Sequence, residues 1–90
     1  MTRRKYRSQA GIILDILEAL ARESPQPATR LMYTANLPYN RLRETLLRLV
    51  DEGLVEETEG RHYRITEKGR EALRVLRDAR RVLETLGYKF

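Results

Sequence analysis

The chain has 90 residues, the size of one small domain, and it contains no cysteine, which excludes disulfides, thiol catalysis and sulfur-ligated metal sites. Its 18 lysine and arginine residues outnumber the 13 acidic residues, giving a formal net charge of +5 that favours an acidic partner, nucleic acid first and an anionic membrane surface second. No apolar run approaches the roughly 18 residues of a membrane span and the basic start lacks the pattern of a secretory signal, so we expect a cytoplasmic, chromosome-associated protein.

The first seven residues, MTRRKYR, are predicted to form a basic, flexible arm. They include four basic residues, no acidic residue and no apolar periodicity. Arms of this kind follow the phosphate backbone or enter a minor groove, so Arg3, Arg4 and Lys5 are candidate DNA contacts. The alternative is a solvated tail that only improves solubility.

A first helix is predicted from Ser8, which can cap it. Its apolar residues recur at helical spacing and form a broad stripe: Ile12, Ile13, Ile16, Leu17 and Leu20. The segment Glu23–Pro27 ends the helix because prolines cannot continue its hydrogen bonds. We interpret this helix as part of the scaffold.

The stretch from Thr29 to Gly53 has the pattern of two short helices joined by a tight turn. Thr29 is a candidate N-cap of the first helix. Pro38 displaces the residue before it from helical geometry and suits the first turn of the second helix. Gly53 follows the last periodic residue, as a C-terminal glycine cap does. Two helices with a turn of this length form a helix-turn-helix candidate.

The second of these helices is predicted to have one buried face and one face for DNA. Apolar residues recur at i, i+4, i+7 and i+8, namely Leu42, Leu46, Leu49 and Val50. The remaining surface carries Asn40, Arg41, Arg43, Glu44, Leu47, Arg48 and Asp51. In a major groove, asparagine can bind adenine, arginine guanine and glutamate cytosine. The predicted DNA contacts are therefore Asn40, Arg41, Arg43, Glu44 and Arg48, while Leu47 either contacts a thymine methyl or packs.

Two further candidates flank this helix. Tyr39 lies near the core boundary, so burial of its ring is favoured over base contact, although its hydroxyl can reach a phosphate. Arg30, near the start of the preceding helix, is a candidate for contact with the DNA backbone.

After Gly53 the apolar period changes to that of strands. The runs 54–58 and 61–65 are predicted to form a hairpin around Glu59-Gly60, with two loop residues or more. A hairpin directly after a helix-turn-helix is a wing. Its candidate DNA contacts are Arg61, His62 and Arg64, and the alternative is that Glu56, Glu57 and Glu59 neutralise their charge.

Residues 66–90 are predicted to form a long C-terminal dimerisation helix, capped by Thr66 and with Glu67 complementing its dipole. Its apolar residues recur at spacings of 4, 3, 4 and 3, as in a coiled coil. The predicted seam is Ala72, Leu76, Ala79, Leu83 and Leu86, extended by Gly69 and Phe90 and widened by Val75 and Val82. The expected partner is the same helix of a second chain. The alternative is that the seam folds back on Ser8–Ala21 of its own chain.

The opposite side of this helix carries a row of arginines at spacings of 4, 3 and 4: Arg70, Arg74, Arg77 and Arg81. The row is either a second phosphate-binding strip or, as we favour, a solvated face. Acidic partners stand three or four residues away in three pairs, namely Glu71 with Arg74, Arg74 with Asp78, and Arg80 with Glu84.

Two segments, ANLPYNRLRETLLRLVDEGLVEE and YRITEKGREAL, resemble the archaeal winged-helix DNA-binding proteins that carry a C-terminal antiparallel coiled-coil dimerisation helix. In that family an ANL-type turn precedes a Tyr-led recognition helix. The resemblance spans roughly residues 12 to 86. It implies a mainly α fold with a small β-hairpin (α+β), a winged helix-turn-helix domain over residues 8–65, and a homodimer joined through the last helix. Pro38 stands where the family commonly has a capping serine or threonine.

The predicted function is sequence-specific binding of double-stranded DNA by a homodimeric transcriptional regulator. The alternatives are an architectural, chromatin-like DNA-binding protein and a winged-helix module that binds proteins within a larger complex. An enzyme is not expected, because the chain has no glycine-rich phosphate loop and no nucleophile motif, and its single histidine cannot build a metal site. We expect no cofactor and see no sign of a small-molecule ligand.

Overall fold

The computed structural model describes residues 7–90, which form four helices and three short strands. In chain order they are α1 (Gln9–Arg22), β1 (Gln26–Pro27), α2 (Ala28–Ala35), α3 (Tyr39–Asp51), β2 (Val55–Thr58), β3 (His62–Ile65) and α4 (Glu67–Thr85). This arrangement confirms the expected mainly α fold with a small antiparallel sheet. None of the described helices is both long enough and apolar enough to cross a membrane.

One apolar cluster joins the helices to the sheet. Ser8 caps α1 as predicted, because its hydroxyl accepts the amide of Gly11 at 3.0 Å. Most of the predicted stripe of α1 is buried, with Leu14 in addition. The most deeply buried side chains are Leu14, Ile16, Leu17, Leu20, Leu31, Leu42, Leu46 and Val55. Each buried side chain of this type stabilises the fold by about 1.5–3 kcal/mol, so this cluster fixes the position of α3.

The sheet contains a strand that the sequence analysis did not predict. Gln26 and Pro27 of β1 pair antiparallel with β3, and the strand order is β1-β3-β2. The Gln26 side chain donates to the carbonyls of Ala19 and Glu23 at 2.8 and 2.7 Å, which satisfies a polar group that is 4% exposed. The segment after α1 is therefore an edge strand, a position that tolerates proline.

The predicted capping of α2 by Thr29 is wrong. The helix begins at Ala28, and the extended Pro27 occupies the N-cap position without a side-chain hydrogen bond. Strand pairing holds Pro27 extended, so the chain turns into the helix directly after the strand.

The turn between α2 and α3 uses two special backbone positions. Asn36 ends α2 in the left-handed region, with φ 56° and ψ 52°, a conformation that asparagine tolerates better than most residues. Pro38 occupies the N-cap of α3, one residue before the predicted first-turn position, and provides no capping hydrogen bond. Gly53 follows α3 with φ 78°, as the predicted glycine cap requires.

The start of α4 is fixed against the hairpin. The Thr66 hydroxyl accepts the Gly69 amide at 3.0 Å and thereby caps the helix as predicted. A Cβ on Gly69 would lie 2.1 Å from the carbonyl oxygen of Leu54, so only glycine allows this approach. Leu73, one turn later, is 3% exposed and belongs to the core. The first turns of α4 are thus part of the domain itself.

Candidate nucleic-acid interface

The polar face predicted for α3 is exposed. The exposed residues of this helix are Tyr39, Asn40, Arg41, Arg43, Glu44, Leu47, Arg48 and Asp51. Leu42, Leu46 and Leu49 lie on the opposite, buried face together with Thr45. Sequence reasoning did not assign Thr45; its hydroxyl donates to the Arg41 carbonyl at 3.0 Å, which permits its burial.

The arginines of α3 are free cations. Across residues 7–90, the guanidinium groups of Arg41, Arg43 and Arg48 form no ion pair and no hydrogen bond. A guanidinium without an internal partner can donate two bonds at once to a phosphate or a guanine. The exposed face of α3 is therefore both positively charged and available.

Two other predicted contacts are paired with carboxylates. Arg30 makes a two-pronged contact with Glu23 at 3.0 and 3.2 Å, linking α2 to the end of α1. Arg64 lies opposite Glu56 across the β2–β3 ladder and bonds to it at 3.2 Å. The sequence left open whether the glutamates of the wing neutralise its basic residues. For Arg64 the structure shows that Glu56 does so. Exposed pairs of this kind contribute only about 0–1 kcal/mol, so a phosphate can compete for either arginine.

The tip of the wing places a different arginine outward. Residues 59–61 connect the strands, so the loop has three residues instead of the minimal two. Gly60 and Arg61 both have positive φ, 72° and 61°, and the Arg61 side chain is exposed. His62 is half-buried, with its Nδ1 atom 3.0 Å from the Gly60 carbonyl oxygen. Arg61 is therefore better placed for contact than His62.

Aromatic residues lie where α3 meets the wing. Tyr39 lies at the start of α3 with 36% of its surface exposed, so it is at the boundary of the core and not inside it. Tyr63 of β3 is 3% exposed. Burial and then the Glu57 carboxylate raise the pKa of the Tyr63 hydroxyl, while the positive charges of Arg43 and Arg61 oppose this shift. Arg43 of α3 and Arg61 of the wing tip thus both act on the Tyr63 hydroxyl.

Tyr33 is an exposed aromatic residue that sequence reasoning missed. It lies on α2 and 79% of its surface is exposed. No spacing in the sequence distinguishes it from its neighbour Met32, which is half-buried.

Arg7 connects the predicted arm to the helix-turn-helix. Its guanidinium donates to the Asp15 carboxylate on α1 and to the carbonyl of Ala35, the last residue of α2. A cation is favourable at this helix end because of the helix dipole. The candidate contacts Arg3, Arg4 and Lys5 lie outside the described residues.

The predicted dimerisation seam divides between two environments. Ala72 and Leu76 are half-buried and pack against the core of their own chain. For these two residues the structure agrees with the alternative that the seam folds back on its own chain. Ala79 and Leu83 are also half-buried. Val75, Val82 and Leu86 remain 55%, 55% and 66% exposed. The buried Gly69 belongs to the contact with Leu54 rather than to a free seam.

The arginine row on α4 is largely neutralised. Arg77 bonds to Glu18 of α1 at 3.1 Å, Arg81 bonds to Asp78 at 3.3 Å, and Arg74 bonds to Glu71. This arrangement agrees with the favoured interpretation of a solvated face. The other predicted pairs, Arg74 with Asp78 and Arg80 with Glu84, are not formed. The described residues also contain no group of three or more histidine, aspartate or glutamate side chains placed to hold a metal ion.

A helix-turn-helix with a free cationic second helix, followed by a β-hairpin wing, defines a DNA-binding domain. The chain belongs to the winged helix-turn-helix family, whose sequence pattern matches residues 6–84. Among solved structures, it is similar to the crystal structure of Pseudomonas aeruginosa HmgR, with 34% identity and a TM-score of 0.58. The match covers 73% of this chain and 27% of that longer chain. No match was found among the curated proteins.

Proposed function

We propose that this protein is a transcriptional regulator that binds double-stranded DNA in a sequence-specific manner as a homodimer. We further propose that it is cytoplasmic and associated with the chromosome. The observation that carries the proposal is the unpaired state of Arg41, Arg43 and Arg48 on the exposed face of α3. Three of the five arginines of α4 are paired with a carboxylate, whereas none of the three arginines of α3 has a partner among the described residues. We therefore assign a binding role, and no catalytic one, to α3.

Base contacts are assigned to the exposed residues of α3. Arg41 or Arg43 would bind guanine, Asn40 adenine and Glu44 cytosine, each contributing roughly 1–3 kcal/mol of discrimination. Arg48 would bind a phosphate near the end of the helix.

Contacts with the DNA backbone are assigned to the wing, to α2 and to the arm. Arg61 is exposed at the wing tip, while Arg30 and Arg64 would first have to leave their carboxylate partners. The arm residues Arg3, Arg4 and Lys5 precede Arg7, the last residue of the arm, whose side chain bonds to the Ala35 carbonyl at the end of α2, close to the turn into α3. Such contacts supply affinity without sequence information.

The dimer contact is assigned to the exposed apolar stripe of α4. Val75, Ala79, Val82 and Leu86 follow one another at spacings of 4, 3 and 4, which is the spacing of a coiled-coil seam. Ala72 and Leu76 pack against the core of their own chain, and Leu83 follows Leu76 by seven residues, or two helical turns, on the same side of α4. The stripe therefore replaces the original seam as the proposed interface, with the same helix of a second chain as its partner.

The first experiment is selection of bound fragments from random DNA duplexes, followed by binding measurements on the selected sequence. Arg43→Ala should lower affinity and relax the preference at one base step, whereas Arg3→Ala should weaken all sequences alike and flatten the salt dependence. Identical losses on every sequence in both variants would instead support architectural binding. No retention on duplex DNA at low salt would support a protein-interaction module.

A further inference from the structure

A cavity of about 620 Å³ lies between the start of α1 and the end of α4. The two helices run in opposite directions, since Arg77 of α4 contacts Glu18 of α1 and Phe90 lies against Gly11. The walls of the cavity include Gly11, Leu14 and Asp15 on one side, and Arg80, Glu84 and the segment 87–90 on the other. This volume is in the range of cavities that hold small molecules, about 300–1,000 Å³.

Arg80 occupies a position where packing would favour an apolar residue. It follows the buried Leu73 by seven residues, which is two helical turns, and so lies on the same α1-facing side of α4. Its side chain is half-buried, yet it forms no ion pair or hydrogen bond with any residue from 7 to 90. A guanidinium that has no partner within the protein is free to donate two hydrogen bonds to a ligand carboxylate.

The C-terminal segment forms a fixed wall of the cavity. A Cβ on Gly11 would lie 2.7 Å from the carbonyl carbon and oxygen of Phe90, so the glycine permits the close approach of this backbone. Phe90 is half-buried and packs against the core. Glycine within a helix is otherwise unfavourable. The close contact with the Phe90 backbone therefore explains why glycine occupies position 11.

We propose that this cavity binds a small organic anion, with its carboxylate held by Arg80 and its apolar part against Tyr88 and Phe90. The charged side chains of the lining are three cations, Arg7, Arg80 and Lys89, and two carboxylates, Asp15 and Glu84. Arg7 and Asp15 bond to each other, so Arg80 and Lys89 remain for the ligand. The sequence alone had shown no sign of a small-molecule ligand.

The test is titration of the full chain with acetate, butyrate and benzoate. Binding is monitored through the amide NMR signals of Leu14, Asp15 and Gly87. Benzoate should shift these signals, acetate should bind more weakly, and the neutral isostere benzamide should bind at least about tenfold more weakly than benzoate. Arg80→Gln should weaken benzoate binding by at least about tenfold. Arg81→Gln is the matched control, because Arg81 is exposed and already paired with Asp78, and it should leave binding unchanged.

The proposal fails if none of the three carboxylates shifts these signals at concentrations up to about 10 mM. It also fails if benzamide binds as well as benzoate, or if both arginine variants lose binding equally. Unchanged thermal unfolding of Arg80→Gln would show that a loss of binding reflects the site and not the fold. The titration involves no DNA, so its result is independent of the function proposed for α3.

Discussion

Releasing Arg64 from its carboxylate partner should strengthen binding to DNA if the wing reaches a phosphate. Glu56→Gln keeps the shape of the side chain and removes the charge that bonds to Arg64 at 3.2 Å. Both side chains are about half exposed, 54% and 44%, so the lost pair should change the free energy of unfolding by less than about 1 kcal/mol. One additional phosphate contact should steepen the slope of log K against log salt by about 0.9.

The assay is fluorescence anisotropy with a labelled duplex at several salt concentrations. Glu71→Gln is the matched control, because it frees Arg74 on α4, where we expect no contact with DNA. Both variants change the net charge of the protein by the same amount. If Glu56→Gln changed neither the affinity nor the slope, wing contact through Arg64 would be refuted. An equal change in the two variants would show a general effect of net charge instead.

Three further predictions concern α4 and the sheet. Leu73→Ala should lower the free energy of unfolding by about 2–5 kcal/mol in urea titrations, because the side chain is 3% exposed within the core; a change below about 1 kcal/mol would contradict this packing. Val82→Asp with Leu86→Asp should convert dimers to monomers in analytical ultracentrifugation, and an unchanged mass would remove the exposed stripe from the interface. The raised pKa of Tyr63 means that the folded state favours the neutral phenol. The contribution of this residue to the free energy of unfolding is therefore complete below pH ~10, the pKa of tyrosine in the unfolded chain, and is lost as the pH rises through the higher pKa of the folded state. Tyr63→Phe should flatten this alkaline decline in unfolding free energy, and an identical decline in the variant would contradict the assignment.

Periodicity was sufficient to predict the helices of the domain and the two faces of α3. Leu42, Leu46 and Leu49 are buried as expected, because a helical period fixes which residues share a side. Local capping chemistry was also predictable at Ser8 and Thr66, where a hydroxyl precedes an amide three residues later. These features depend on neighbours in the chain, which the sequence displays directly.

The features that escaped prediction depend on contacts between distant segments. Gln26 and Pro27 form a strand only because β3 lies beside them, and proline argued locally for a loop. Leu73 was omitted from the seam of α4, since the face that packs on its own chain and the face left free are adjacent and both apolar. Gly69 has the spacing of that seam, but its role is set by the close approach of the Leu54 carbonyl.

The availability of each arginine is the property on which function depends, and helical spacing does not determine it. On α4, Glu71 and Arg74 form the pair that their spacing suggests, whereas Arg80 and Glu84 do not. On α3, Glu44 precedes Arg48 by four residues, the favourable order for a helical pair, yet the structure shows no bond between them. Exposed pairs differ in free energy by so little that packing of the surrounding side chains decides each case. The distinction between arginines paired with a carboxylate and unpaired arginines therefore has to be made from coordinates, and in the described residues all three arginines of α3 belong to the unpaired group.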